Sequence, residues 1–175
     1  MLWTNKHDEL LAVLDVQPDD DVLEVGYGPG GLVRLLAERT RAASIRGVDP
    51  SPEMRDQASR RNRRAVRAGR VQLDLGSADD TGLPDASVDR VVSVRNVALW
   101  PDLEAGVAEL HRVVRPGGVV VIAWHGGTAP NRVVRSLSLP DDELSRIERA
   151  VRARFGEVTR AQVATLDVFT AVRLR

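Results

Sequence analysis

The sequence predicts an α/β fold: a doubly wound, seven-stranded, mostly parallel sheet with helices on both faces and an antiparallel hairpin strand at the carboxyl end. Three features point there. Strand-like and helix-like segments alternate five times along the 175 residues. The middle strands, DRVVSV at 89–94 and GVVVIAW at 118–124, are apolar on both faces, as strands sandwiched between helices are. A glycine-rich turn follows the first strand, at the edge where open α/β sheets place their ligands.

Each element has its own signal. Leu10, Leu11 and Leu14 have helical spacing within residues 8–14, and Pro18 with three aspartates then makes a turn. Residues 21–26 (DVLEVG) form a short strand, and residues 29–39 a helix with Leu32, Leu35 and Leu36 on one face. A second strand spans 44–49, and Pro50-Ser51-Pro52 opens a helix reaching about residue 68, since proline is tolerated in a first turn. Strands follow at 71–75 and 88–94, then a helix at 101–114 closed by Arg115-Pro116-Gly117-Gly118, then a strand at 119–124. Residues 125–139 read as a loop, 141–154 as a helix, and the tail as a hairpin with strands near 157–166 and 168–174. One domain is expected over 1–175: an amino-terminal helix or cap at 1–18, a ligand-binding core at 20–125, and a helix with hairpin at 126–175.

Composition narrows the function classes. Twenty-five acidic and twenty-five basic residues cancel, so no overall field draws in nucleic acid or a membrane surface. The absence of cysteine removes disulfides, thiolate metal sites and a cysteine nucleophile together, and it suits a reducing, cytoplasmic setting. The longest apolar run, 119–124, is six residues, far short of the roughly 20 that span a bilayer. No His, Asp and Glu cluster has metal-ligand spacing, so no metal is expected.

The chemistry concentrates after the strands. In Glu24-Val25-Gly26-Tyr27-Gly28-Pro29-Gly30-Gly31 the glycines let the backbone turn sharply and approach a ligand, and the next helix presents free N–H groups. The loop satisfies two templates, G-x-G-x-x-G through Gly26, Gly28 and Gly31, and G-x-G-x-G through Gly26, Gly28 and Gly30. Asp49 ends the second strand eighteen residues after Gly31. Its carboxylate can accept both ribose hydroxyls of an adenosine, would repel a ribose 2′-phosphate, and can also cap the helix starting at Ser51.

The runs VLEVGYGPGG, GVDPSPEM, LPDASVDRVVSVRNVALWPD and ELHRVVRPGGVVVIAW, in that order over about residues 20–125, resemble the class I S-adenosylmethionine-dependent methyltransferases, nearest their small-molecule branch. The resemblance implies a Rossmann-like methyltransferase fold with S-adenosylmethionine as cofactor. Glu24 matches the acid opening the family's first motif, and Gly26, Tyr27, Gly28 and Gly30 lie in its glycine loop. Asp49 with Pro50 matches the ribose-binding turn, and Ser77, Ala78 and Asp79 fall where the family contacts adenine. The commonest family pattern has aspartate where Ser77 stands, so the adenine contact is open between Ser77 and Asp79. Arg95 and Asn96 match the position lining the methionine end and the transferred methyl.

Methyl transfer from a sulfonium asks chiefly for alignment, and Tyr27 and Trp100 are aromatic faces available to the sulfonium. His125, directly after the fifth strand, is the candidate base for an acceptor that must lose a proton. The expected acceptor is a small metabolite methylated on O, N or C. Two alternatives are a cofactor-binding partner or regulatory module without transfer, and an RNA methyltransferase using arginines 60, 63, 64 and 67 on one helix face. Zero net charge and the lack of interleaved aromatics favour a solvated arginine face, so nucleic acid is not the expected partner. About twenty residues precede the first strand and the 125–139 loop is short, so the methyl site is expected to be open, or closed by a second subunit in a homodimer.

Overall fold

A computed structural model describes residues 4–175; Met1, Leu2 and Trp3, within the expected cap, lie outside the described residues. The order is α1 (Thr4–Leu14), β1 (Asp21–Val25), α2 (Gly31–Arg39), β2 (Ser44–Asp49), α3 (Pro52–Arg61), α4 (Arg63–Arg67), β3 (Val71–Leu75) and β4 (Val88–Val94). It continues with α5 (Leu103–Val113), β5 (Val114–His125), α6 (Arg132–Leu137), α7 (Asp141–Phe155), β6 (Thr159–Val163) and β7 (Leu166–Val172). The seven strands form one sheet in the order β3-β2-β1-β4-β5-β7-β6. β1 to β5 run parallel, and β7 pairs antiparallel with both β5 and β6.

Alternation along each strand divides the core. Leu23, Val91, Val120 and Ile122 face α5 and α7, packing on Val107, Leu110, Ile147, Val151 and Phe155. Val22, Val92 and Val121 face the other way, against Leu10, Leu14, Val33, Leu36 and Ala58 of α1, α2 and α3. Helices on both faces of a parallel sheet explain why the central strands carry no polar face. None of the described helices is long and apolar enough to cross a membrane.

Chain order reverses between β1 and β4. That is the topological switch point, where a crevice opens outside the carboxyl ends of the strands.

Five local expectations are corrected. The helix expected from residue 29 begins at Gly31, because Gly30 is left-handed (φ 77°) and cannot sit inside a right-handed helix. The single helix expected to residue 68 breaks at Asn62, whose side chain donates to the carbonyls of Gly30 (3.1 Å) and Ala58 (2.9 Å). Residues 115–118 do not merely close a helix. They form a bulge inside β5, where the register jumps from Val88–Val114 to Arg90–Val119 and Gly117 takes φ 84°. The hairpin turn lies at Ala164-Thr165, not near Asp167: Asp167 is buried in the ladder opposite Trp124 and accepts from Gln162 Nε2 at 3.0 Å. The expected loop 125–139 also contains α6, capped by Asn131, whose side chain accepts the Val134 N–H at 2.9 Å.

Candidate functional site

The turns after β1, β2, β3 and β4 meet in a cavity of about 240 Å³ at the switch point. Gly26 forms one wall and Asp49 with Pro50 the next. Gly76, Ser77 and Ala78 come from the turn after β3, and Asn96, Leu99, Trp100 and Pro101 close the far side.

Asp49 ties these turns together. Its Oδ2 accepts the Gly28 N–H at 2.9 Å and its Oδ1 accepts the Ser51 N–H at 2.9 Å, and the residue is 6% exposed. Ser51, the residue after Pro50, is itself the cap of α3, accepting the Met54 N–H at 3.2 Å. A carboxylate offers about four acceptor positions, so two N–H groups leave room for further donors.

The three loop glycines do different jobs. Gly28 (φ 51°) is open, because a Cβ there would meet nothing within 4 Å. A Cβ at Gly26 would collide with the Asn96 carboxamide, which lies against the loop and narrows the cavity. Gly30 faces a helix, not the cavity: a Cβ there would come within 2.7 Å of Asn62 Nδ2 and 2.8 Å of the Ala58 Cβ. The G-x-G-x-G spacing is therefore split between Gly26, which lines the cavity, Gly28, whose backbone is open, and a packing requirement at Gly30.

Glu24 is 4% exposed and its Oε2 has no hydrogen-bond partner. Burial pushes its carboxyl well above the usual range; a backbone N–H at Val33 pulls the other way, and the Asp49 charge adds to the rise. An orphaned buried carboxyl oxygen beside an open glycine turn is what a polar ligand group would satisfy.

Tyr27 does not face the cavity. Its ring fills the space left by Gly47 on β2, where a Cβ would come within 2.6 Å of Tyr27 Cδ1, and its hydroxyl donates to the Asp74 carbonyl at 3.1 Å. Burial first, and then the Asp49 charge, push the phenol up to about 12. Trp100 is the aromatic that lines the cavity; its Nε1 donates to Asn96 Oδ1 at 2.5 Å. The ring lies over Gly106 of α5, where a Cβ would come within 2.5 Å of Trp100 Cε3.

Ser77 and Asp79 divide similarly. Ser77 lines the cavity and its hydroxyl donates to Asp79 Oδ1 at 2.6 Å, while Asp79 is exposed on the rim. Sequence reasoning missed Leu99 and Pro101, as well as Asn62, which bolts the loop to α3.

Arg95 and His125 lie beyond this cavity, at the ends of β4 and β5. Arg95 is left-handed (φ 58°) and its N–H donates to the Ala123 carbonyl at 2.8 Å. His125 Nδ1 is buried without a partner, and its ring packs edge-on against Trp124. Burial and then the Arg95 charge lower the imidazole pKa, so the ring is neutral at pH 7. The arginines at 60, 61, 63, 64 and 67 are exposed on α3 and α4.

Residues 23–122 match the family model described as a methyltransferase domain. The chain is 30% identical over 159 residues to a nocamycin O-methyltransferase of Saccharothrix syringae, covering 90% of this chain and 55% of that protein. It is 34% identical over 109 residues to the uncharacterized methyltransferase YdaC of Bacillus subtilis, covering 62% of this chain and 58% of the relative. The fold superposes on Haemonchus contortus phosphoethanolamine N-methyltransferase 2, a complex containing S-adenosylhomocysteine, with a TM-score of 0.77 and 18% identity, covering 99% of this chain and 53% of that one. The chain thus spans little more than half the length of these three proteins.

Proposed function

The chain belongs to the class I S-adenosylmethionine-dependent methyltransferases, and from that premise we propose that it binds this cofactor in the switch-point cavity and methylates O, N or C of a small metabolite. One observation carries the reading. The Asp49 carboxylate, fixed by two backbone N–H groups at 2.9 Å each, borders the cavity beside the open backbone of Gly28. A nocamycin O-methyltransferase among the relatives supports a small acceptor.

The residues fit the cofactor. Asp49 would take the ribose hydroxyls with its free lone pairs. Ser77 and Ala78 would face adenine, with Asp79 orienting the Ser77 hydroxyl. Gly26, Gly28 and the unpartnered Glu24 oxygen would meet the amino-acid end, next to Asn96. The Trp100 ring would wall the sulfonium. When bound, S-adenosylmethionine supplies a methyl group already activated on sulfur.

The chain therefore has to hold and align, and orientation of this kind contributes on the order of 7–11 kcal/mol in well-oriented systems. Where the acceptor must shed a proton, the neutral imidazole of His125 is the candidate base.

Titration calorimetry tests the cofactor assignment directly. S-adenosylhomocysteine should bind and NAD should not; the reverse preference would sink the reading. With labelled S-adenosylmethionine, a panel of hydroxyl, amine and carbon-acid acceptors should yield product. For a proton-bearing acceptor, His125→Asn should lower turnover and remove the acid limb of its pH profile; an unchanged profile would discard His125 as base.

A further inference from the structure

The rim of the sheet continues past the cofactor crevice. Gly26, Asp49, Gly76 and Asn96 sit over β1, β2, β3 and β4, and the next strand along is β5. Neighbouring strands lie about 4.8 Å apart, so the ends of β4 and β5 are the next place along the edge. An acceptor facing the transferred methyl would lie there, against Arg95 and His125.

Arg95 is held oddly for an arginine. Its backbone is in the left-handed region (φ 58°) and is fixed by its N–H donating to the Ala123 carbonyl at 2.8 Å. Such conformations persist where the surroundings enforce them and gather at ligand sites. Its guanidinium makes no hydrogen bond or ion pair among the described residues, whereas Arg90 and Arg115, at the opposite edge of the sheet, each hold aspartates. The side chain is exposed on the rim with its inner part desolvated, and among the described residues no carboxylate pairs with it. Beside it, His125 Nδ1 is buried without a partner. Two nitrogen-bearing groups thus share this end of the rim, and neither pairs with a carboxylate among the described residues.

We propose that Arg95 is a specificity-determining residue that selects methyl acceptors carrying a carboxylate, which its guanidinium grips beside His125. The planar guanidinium presents paired N–H donors that match the two oxygens of a carboxylate. With His125 neutral, the site offers one positive charge, which a monoanionic carboxylate balances and a phosphate dianion overfills. The inference rests on the cofactor reading above, because the cofactor defines which side of the rim is the acceptor side.

The test uses the full chain saturated with S-adenosylhomocysteine and two matched probe pairs, benzoate with benzamide and hexanoate with hexanamide. Each acid should bind about tenfold or more tightly than its amide by calorimetry, the size expected of one charge-assisted contact. Arg95→Gln should erase that preference and Arg95→Lys should restore part of it, each at saturating S-adenosylhomocysteine so that cofactor affinity does not enter. Equal binding of acid and amide, no binding of either acid, or an undiminished preference in Arg95→Gln each overturns the proposal alone. Failure of the unmodified protein to bind S-adenosylhomocysteine overturns the cofactor reading, and this inference with it.

Discussion

Replacing Asp49 by asparagine keeps the size of the side chain and removes one acceptor oxygen along with the charge. In the parent protein Oδ2 holds the Gly28 N–H and Oδ1 the Ser51 N–H, both at 2.9 Å and almost shielded from water. An asparagine can satisfy only one of these, and its NH₂ group then points at the other N–H. Losing a hydrogen bond to a charged acceptor costs about 1.5–3 kcal/mol, and a stranded buried donor costs a similar amount. The two descriptions overlap, so the ligand-free protein should lose about 2–3 kcal/mol, equivalent to roughly 4–12 °C in Tm for a chain of this size. On the proposed cofactor reading the lost charge would also weaken the ribose contacts, so S-adenosylhomocysteine should bind about 10- to 100-fold less tightly. Thermal denaturation without ligand and titration calorimetry with it read the two effects separately. If the asparagine variant binds S-adenosylhomocysteine within about threefold of the parent, Asp49 does not hold the ribose and the reasoning fails.

Two glycine substitutions separate cradle from packing. Gly30→Ala should destabilise the fold by about 2–4 kcal/mol, combining left-handed strain with overpacking on Asn62 and Ala58. Gly28→Ala meets no neighbour, so it should cost only about 1 kcal/mol in folding and yet abolish S-adenosylhomocysteine binding; equal effects of the two on folding would contradict the division. Glu24 supplies a pH test. Its carboxyl is raised in the folded state, so the folded protein holds that proton where the unfolded chain has released it. Stability from this group is complete below the ordinary carboxyl value and is lost as pH rises through the raised one. Glu24→Gln should therefore be the more stable protein at pH 8 in urea denaturation, with the gap closing toward pH 4.5, the group's usual value. A parent protein that is the more stable at pH 8 would show that the carboxylate is not strained by burial.

Periodicity made the strand and helix alternation legible, because a strand buried on both faces has to be apolar throughout. It could not place features that depend on a neighbour. The bulge at Gly117 exists because β5 pairs out of step with β4, and the hairpin turn at Ala164-Thr165 carries no turn-forming glycine or asparagine. Asp167 resembles a turn residue in isolation, yet the ladder with Trp124 buries it.

The sequence alone determined the order of elements, the glycine turn after the first strand and the carboxylate after the second, since all three are set by residues close together in the chain. Tertiary structure decided which residues border the switch-point cavity and which pack into the core. Gly47 opens a hole that takes Tyr27 into the core, Ala58 and Asn62 claim Gly30 for packing, and Gly106 lets Trp100 lie at the cavity wall. The partners in each pair are at least four residues apart and most are on different elements, so only the folded chain, where each Cβ or its absence meets a neighbour, could sort them.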